Sequence, residues 1–160
     1  MVIVILGVLA ALAIPRFADL GAQAKIAKLE AMEGTLKSAA GIVTSVAFSK
    51  NIKNGVMDFN GNNINIAGGH PTAQDKATFR YLIDFSSVAT GRPRSYVCQE
   101  DWCSRGNQGD LGISGANSNR NMVIWINGKS FNDDCYVWYH NGFVSGGDDK
   151  IATGIVTSGC

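Results

Sequence analysis

The sequence has little charge. Charged residues make up 17% of its 160 residues, whereas an ordinary globular domain has about 25%. The formal net charge at pH 7 is +1, so no overall field would draw the chain onto nucleic acid or an anionic membrane surface. A chain of this length forms one domain with a modest core and is too short for two.

The sequence also lacks the patterns that catalysis needs. It has no nucleophile paired with a base, no metal-ligand cluster and no phosphate-binding loop, and no serine lies in a G-x-S-x-G context. Its two histidines, His70 before Pro71 and His140 before Asn141, occupy loop or turn positions and are predicted to be surface residues. We therefore expect no enzyme activity, no catalytic residue, no cofactor and no metal ligand.

Charge is absent altogether from the first 14 residues, MVIVILGVLAALAI. As a helix this stretch would span about 21 Å, and a bilayer core needs about 20 apolar residues. A signal peptide would have a basic start and a cleavage site, and both are missing here. A buried core helix would need more covering chain than this small protein offers. We interpret the stretch as part of a longer membrane segment whose first residues precede this sequence.

After Pro15 the helical pattern continues, but it becomes amphipathic. Apolar residues recur at helical spacing, which predicts one helix from Met1 to about Lys50. At 1.5 Å per residue this helix would be about 75 Å long, more than the diameter of the domain that it serves. The predicted apolar stripe comprises Phe17, Leu20, Ala24, Ala27, Ala31, Ala39, Ile42, Val43 and Val46.

Half of such a helix must project from the globular part, and that half is apolar. We expect residues 1–22 to protrude as an assembly or transmembrane part and residues 23–160 to form a globular head. The protruding part must lie in lipid or inside an assembly, because exposure of so much apolar surface to water is unfavourable. Gly7 and Pro15 mark its weak section, since proline removes one backbone hydrogen bond.

Four cysteines, Cys98, Cys103, Cys135 and Cys160, lie in the head and none lies in the helix. An even number in this arrangement indicates two disulfide bonds formed in an oxidising compartment. Four cysteines allow three connectivities, and we favour the local one, Cys98 with Cys103 and Cys135 with Cys160. The alternatives are reduced thiols in a cytosolic protein and a zinc site, for which the cysteine spacing is loose.

The head combines a short helix with strands. Residues 70–87 predict a loop and a short helix, with Thr72 as N-cap and Asp75 completing a capping box. Residues 91–118 are dense in glycine, asparagine, serine and charge, and are predicted to be irregular. Three strands follow, NMVIWI, CYVWY and IATGIVTSG, with Asn-Gly pairs after the first two. The predicted fold class is α+β, a long N-terminal helix packed against a small antiparallel sheet of three or four strands.

Two features of the head are candidate contact sites. Trp102 lies inside the small disulfide loop and is a candidate contact residue, whereas Trp125 and Trp138 lie in strand patterns and are predicted core or sheet-face residues. The carboxylates Asp148 and Asp149 of the segment GGDDK could bind calcium or could simply form a turn.

The segment VIVILGVLAALAIPRF resembles the N-terminal helix of type IV pilins and of the related pseudopilins of type II secretion. The segment LGAQAKIAKLEAMEGTLKSAAGIVTSVAFSKNI is similar to the helix of the mannose-sensitive haemagglutinin pilins, a type IVa class, and the tail CYVWY…ATGIVTSGC resembles theirs. The family's methylated phenylalanine and early glutamate would lie upstream of Met1. The resemblance fades between Lys53 and Asn121, and Cys98 and Cys103 have no counterpart in the family pattern.

This resemblance implies the major structural subunit of a type IV pilus, serving surface adhesion or motility. Its subunits would lie in the inner membrane, be processed by prepilin peptidase, and be assembled by the pilus machinery into a helical homo-oligomer on the bacterial surface. No specific nucleic acid partner is expected. Packing of the apolar helices would assemble the filament, through Met1, Val4, Ile5, Gly7, Val8, Leu9, Leu12, Ile14, Pro15 and Phe17.

Two other functions fit the sequence less well. A major pseudopilin of type II secretion would have a smaller head and often calcium in place of disulfides. A minor pilin that binds DNA or a receptor would be a binding module, and DNA would require a basic stripe. Only Arg92, Arg94 and Arg105 form a loose basic group.

Overall fold

One long helix dominates the structure, and the rest of the chain packs along its second half. Helix α1 spans Val2–Ser49 and continues without a break through Pro15, close to the predicted bounds. Its side chains are described from Leu20 onward. The computed structural model describes four stretches of the chain: residues 2–84, 88–113, 120–143 and 150–160.

The helix ends for a local reason. Asn51 adopts a left-handed φ of 55°, a conformation that asparagine tolerates better than most residues. The N–H of Ile52 then reaches back to the carbonyl of Ala47 at 2.8 Å. This capping arrangement satisfies a terminal carbonyl and turns the chain into the first strand.

The strands form two sheets. The smaller is an antiparallel sheet in the order β1-β2-β3, and the larger has five strands in the order β4-β5-β6-β7-β8. The bounds are β1 Gly55–Phe59, β2 Asn62–Ala67, β3 His70–Pro71, β4 Val88–Thr90, β5 Trp102–Gln108, β6 Asn121–Ile126, β7 Tyr136–Asn141 and β8 Ile151–Val156. Two 3₁₀ turns lie at Phe79–Tyr81 and Phe131–Asp133. The predicted α+β class, a long N-terminal helix packed on a small antiparallel sheet, is confirmed.

The sheets differ from the prediction in detail. The larger sheet has five strands where three or four were expected, and its outermost pair, β4 and β5, is parallel. Strand β5 lies inside the region 91–118, which was predicted to be irregular. Its sequence WCSRGNQ has no alternation of apolar and polar residues that would predict a strand. It is a strand because it pairs with β4 and β6. The hairpin β1–β2 was also missed, although Asn60 and Gly61 take the positive φ values that a tight hairpin turn requires.

The core lies between α1 and the larger sheet. From the helix come Leu36 and Ala40, and β6 and β7 contribute Ile124, Val137 and Tyr139. On the opposite face of the sheet, Trp125, Trp138 and Phe131 form a second cluster with the first disulfide. Both tryptophans are buried, as predicted for core or sheet-face residues. Strands β6 and β7 are therefore covered on both faces, and every residue of each is buried.

The segment between β3 and β4 contains no capping box at Thr72. The Thr72 hydroxyl pairs with the Thr78 hydroxyl at 2.9 Å, and no side-chain cap precedes the 3₁₀ turn Phe79–Tyr81. The buried Asp75 carboxylate instead accepts hydrogen bonds from the Gly91 N–H and the Ser104 hydroxyl. It therefore joins this segment to β5. A complete capping box occurs later, between Ser130 and Asp133.

Two polar side chains of β7 join the two sheets. The Tyr139 hydroxyl donates to the Pro71 carbonyl at 2.8 Å. The Asn141 amide donates to the carbonyls of Ala67, His70 and Pro71, and its oxygen accepts from the Phe143 N–H. Since no strand pairing connects the two sheets in the described stretches, these side-chain hydrogen bonds to backbone carbonyls connect them instead.

We expect Asn141→Ala to lower the free energy of unfolding by about 2 kcal/mol, because it removes the side-chain hydrogen bonds to the carbonyls of Ala67, His70 and Pro71. The matched control is Asn63→Ala, since Asn63 is an exposed strand residue and its truncation should have little effect. Urea denaturation of the two full-length variants makes the comparison. Equal stability of the two variants would show that Asn141 does not join the sheets.

Candidate assembly surface

The helix buries one stripe and exposes another that is almost as apolar. Leu29, Leu36, Val43 and Ala47 are fully buried against the head, and Ala39 and Ala40 are nearly so. Of the stripe predicted from sequence, only Ala39 and Val43 are buried and Val46 is half-buried. The prediction was wrong for five others, because larger side chains on the other face fill the space above the sheet, and the Phe17 side chain lies outside the described part. Exposed to solvent are Leu20, Ala24, Ala27, Ala31 and Ile42.

We call these exposed residues, with those between them on the same side, the outward face. It carries no charge: the residues at helical spacing from Leu20 are apolar, glycine or serine. Leu20 is 57% exposed and Ile42 is 55% exposed, although large apolar side chains are usually buried. The face comprises Leu20, Ala24, Ala27, Ala31, Gly34, Ser38, Ile42 and Ser45.

The charges of the helix lie beside this face or turn away from it. Lys37 forms an ion pair with Glu33 at 2.7 Å, and Glu33 also accepts from the Thr153 hydroxyl. The hydrogen bond from Lys37 keeps the pKa of Glu33 below its ordinary value. Lys25 donates to the Cys160 carbonyl at 3.2 Å. These pairings hold charged groups toward the head and leave the outward face neutral.

A shallow groove borders the outward face where it meets the head. Three hollows of about 190, 410 and 520 Å³ follow one another along the helix. The first two share Lys28 and Asp101, and the second and third share Ala31 and Thr35. From Ala24 to Ile42 the groove extends about 27 Å along the helix axis. It is therefore long enough to receive several turns of another helix.

Trp102 forms part of the head-side wall of this groove. It lies in the hollow that Lys28 and Asp101 border, and it packs against the cluster of Leu29 and Ile126. The side chain is half-buried and packed against its neighbours. It belongs to strand β5 and does not project from the tip of a loop. Its role as a contact residue stays a prediction.

The cysteines pair locally, Cys98 with Cys103 and Cys135 with Cys160, which is the connectivity favoured from the sequence. The second bridge packs beneath Leu29 and ties the segment after β8 to the start of β7. A carboxylate oxygen of Glu100 lies 3.4 Å from the Cys103 sulfur. Because both sulfurs of that pair are in a disulfide, they are not available as thiolate ligands.

The histidines are not the surface residues that were predicted. His140 is fully buried, and its Nδ1 pairs with the Asn121 side-chain oxygen at 2.8 Å. His70 is half-buried, stacks on Phe143 and pairs through Nδ1 with the Thr44 hydroxyl at 2.9 Å. Burial lowers the pKa of His70. The prediction failed because both positions are covered by residues distant in sequence.

Several predicted residues lie outside the described part of the chain. Asp148 and Asp149, the candidate calcium ligands, belong to this group, and so do the side chains of the helix before Leu20. No helix in the described part is long and apolar enough to cross a membrane. The division between residues 22 and 23 stays a prediction, as do the assembly roles of Met1, Val4, Ile5, Gly7, Val8, Leu9, Leu12, Ile14, Pro15 and Phe17.

Comparison of the chain with known protein families, with curated proteins and with solved structures returns no match.

The two faces of the helix should differ in their effect on stability. We expect Leu36→Ala to cost about 3 kcal/mol, as truncation of a fully buried leucine does, and Ile42→Ala to cost less than about 1 kcal/mol. Urea denaturation of the full chain, held monomeric in detergent, measures both. A loss at Ile42 as large as that at Leu36 would mean that the outward face is covered within a single chain.

Proposed function

We propose that this chain is a subunit of a helical filament of the type IV pilus kind. The observation that carries the proposal is the outward face of α1. It is neutral, apolar and exposed, and it continues the apolar front along one unbroken helix of 48 residues. A single chain leaves the outward face exposed, whereas a filament of parallel subunits would cover it.

Assembly would begin in the inner membrane. The apolar front would hold each subunit in lipid, and the pilus machinery would add subunits after prepilin peptidase had processed them. In lipid the hydrophobic effect does not favour association of apolar helices, so close packing must supply the attraction. Glycine, alanine and serine allow two helix backbones to approach closely. The outward face between Ala24 and Ser45 lies beside the head and not in the apolar front, but it consists mostly of the same residue types, so helices would approach closely there too.

Three further features support a filament subunit at the bacterial surface. Two disulfides fit an oxidising compartment. The bridge between Cys135 and Cys160 ties the last described strand to the sheet, where a pulling force would act on the head. The third feature is the sequence resemblance to type IVa pilins, which covers α1 and the last strands. Adhesion or motility would be the role of the filament.

The sharpest test changes the outward face without touching the core. We expect Ile42→Lys to abolish filaments, because a lysine would be desolvated between packed helices. The matched control is Val56→Lys, since Val56 is 61% exposed and belongs to strand β1, not to the outward face. Electron microscopy of sheared filaments, with mass spectrometry of their subunit, provides the readout. The subunit level in the membrane should be the same for both variants.

Filament loss in both variants, or in neither, would contradict an interface on this face. Normal filaments from the Ile42→Lys chain would remove the observation that carries the proposal.

The weak section of the front should change conformation on assembly. Pro15 cannot donate to the carbonyl of Ala11, and glycine at position 7 has a helix propensity about 1 kcal/mol below that of alanine. Neighbouring subunits would fix the front at one height and the head at another, so this section would absorb the mismatch. We expect a cryo-EM map of the filament to show residues 8–13 partly out of the helix that the single chain has. A continuous helix there would refute this prediction.

A further inference from the structure

Strand β8 is an outer strand of the larger sheet that lacks the usual protection of a sheet edge. Natural edge strands are shortened, bulged, or given charges or proline, because a bare edge pairs with other chains. The sequence of β8, IATGIV, has no charge and no proline. It pairs with β7 through six consecutive partners without a bulge, and all six residues are half-buried.

The free edge offers backbone hydrogen bonds. In an antiparallel ladder, alternate residues of an outer strand direct their N–H and C=O groups away from the sheet. Within the four described stretches, no strand pairs with β8 on that side. Such a row of groups matches an extended peptide, which can pair with it as an additional strand.

A pocket lies directly beside this edge. Its volume is about 510 Å³, and it is lined on one side by Lys37, Gly41 and Thr44 of α1 and on the other by residues 151–153 of β8. The Tyr139 ring contributes to the lining. An added strand would therefore run past a cavity large enough for one of its side chains.

Gly41 lines this pocket and has no side chain to fill it. A Cβ at position 41 would meet no atom within 4 Å, so no packing contact within the described chain requires glycine there. Glycine in a helix costs about 1 kcal/mol relative to alanine. Gly21 is also a helical glycine with open space around it, but it lies away from the pocket and so provides a matched reference.

The electrostatics of the pocket favour an uncharged occupant. Lys37 is neutralised by Glu33 at 2.7 Å, which also binds the Thr153 hydroxyl. His70 pairs with Thr44, and burial lowers its pKa, so it is neutral at pH 7. A charged side chain would gain no partner here and would lose its hydration.

We propose that the outer edge of β8, together with the pocket at Gly41, binds an extended uncharged peptide segment of a partner protein. The segment adds as a sixth strand and seats one apolar side chain against Gly41. A second copy of this chain, paired β8 to β8, would run antiparallel, so the two long helices would point in opposite directions. Parallel subunits, on which the proposed filament rests, do not allow that pairing, whereas the peptide site itself does not depend on the filament.

The test uses the full chain in detergent and two forms of the blocked peptide VTVAVTV. One form is unmodified, and the other is N-methylated at alternate residues so that it cannot pair with an edge. Amide hydrogen exchange is followed at residues 151–156. At 90% occupancy we expect the unmodified peptide to slow exchange at alternate β8 amides about tenfold, with no effect from the methylated form.

Two substitutions test the pocket. Gly41→Leu should weaken peptide binding at least about tenfold, a difference of 1.4 kcal/mol, whereas Gly21→Leu should leave it unchanged. Both substitutions replace an unpacked helical glycine, so they affect helix stability alike. Gly41→Ala should have an intermediate effect.

Five results would overturn the proposal. The β8 amides that face away from β7 could already be protected without peptide, which would mean that the chain covers its own edge. The methylated peptide could bind equally well, or neither form could bind. The two leucine variants could bind alike. Finally, β8 could be protected only by dimerisation of the chain, which would make the occupant a second copy.

Discussion

The packing of one stripe of α1 against the head is the constraint on which the other features depend. The helix has two faces of low polarity, and only one can lie on the sheet. The buried face is the one with Leu29, Leu36 and Val43. Leu29 and Leu36 fill the space above β6 and β7, and Val43 packs against β1 and β2. Small residues are thereby left on the outward face. Without that choice of face, neither the groove beside Trp102 nor the pocket beside Gly41 would exist.

Within the head, polar side chains and disulfides connect segments that strand pairing does not connect. Tyr139 and Asn141 bring the small sheet against the larger one through the Pro71 carbonyl. Burial of Tyr139 raises its pKa well above the ordinary range, so its hydroxyl stays a proton donor throughout the physiological pH range. The bridge between Cys135 and Cys160 joins the segment after β8 to the residue before β7. The head is in this way a rigid support for two separate surfaces.

Those two surfaces lie on opposite flanks of the same helix. The groove from Ala24 to Ile42 runs along one flank, and the pocket at Gly41 opens between the other flank and β8. A helix of a neighbouring subunit would occupy the first, and an extended peptide would occupy the second. Because the two proposed occupants differ in conformation and in position, binding of one does not require displacement of the other.

The sequence by itself determined the features that depend on neighbouring residues. The helix bounds, the strands NMVIWI, CYVWY and IATGIVTSG and the α+β class follow from periodicity and composition. The local cysteine pairing was favoured among three connectivities, and the structure decided it. Tertiary structure alone decided which face of α1 is buried, because both faces are apolar and only the fit of Leu29 and Leu36 to the sheet separates them. It also buried His140 beside Asn121 and made a strand of WCSRGNQ. These features depend on contacts between residues that are distant in the sequence, and a local sequence pattern cannot predict such contacts.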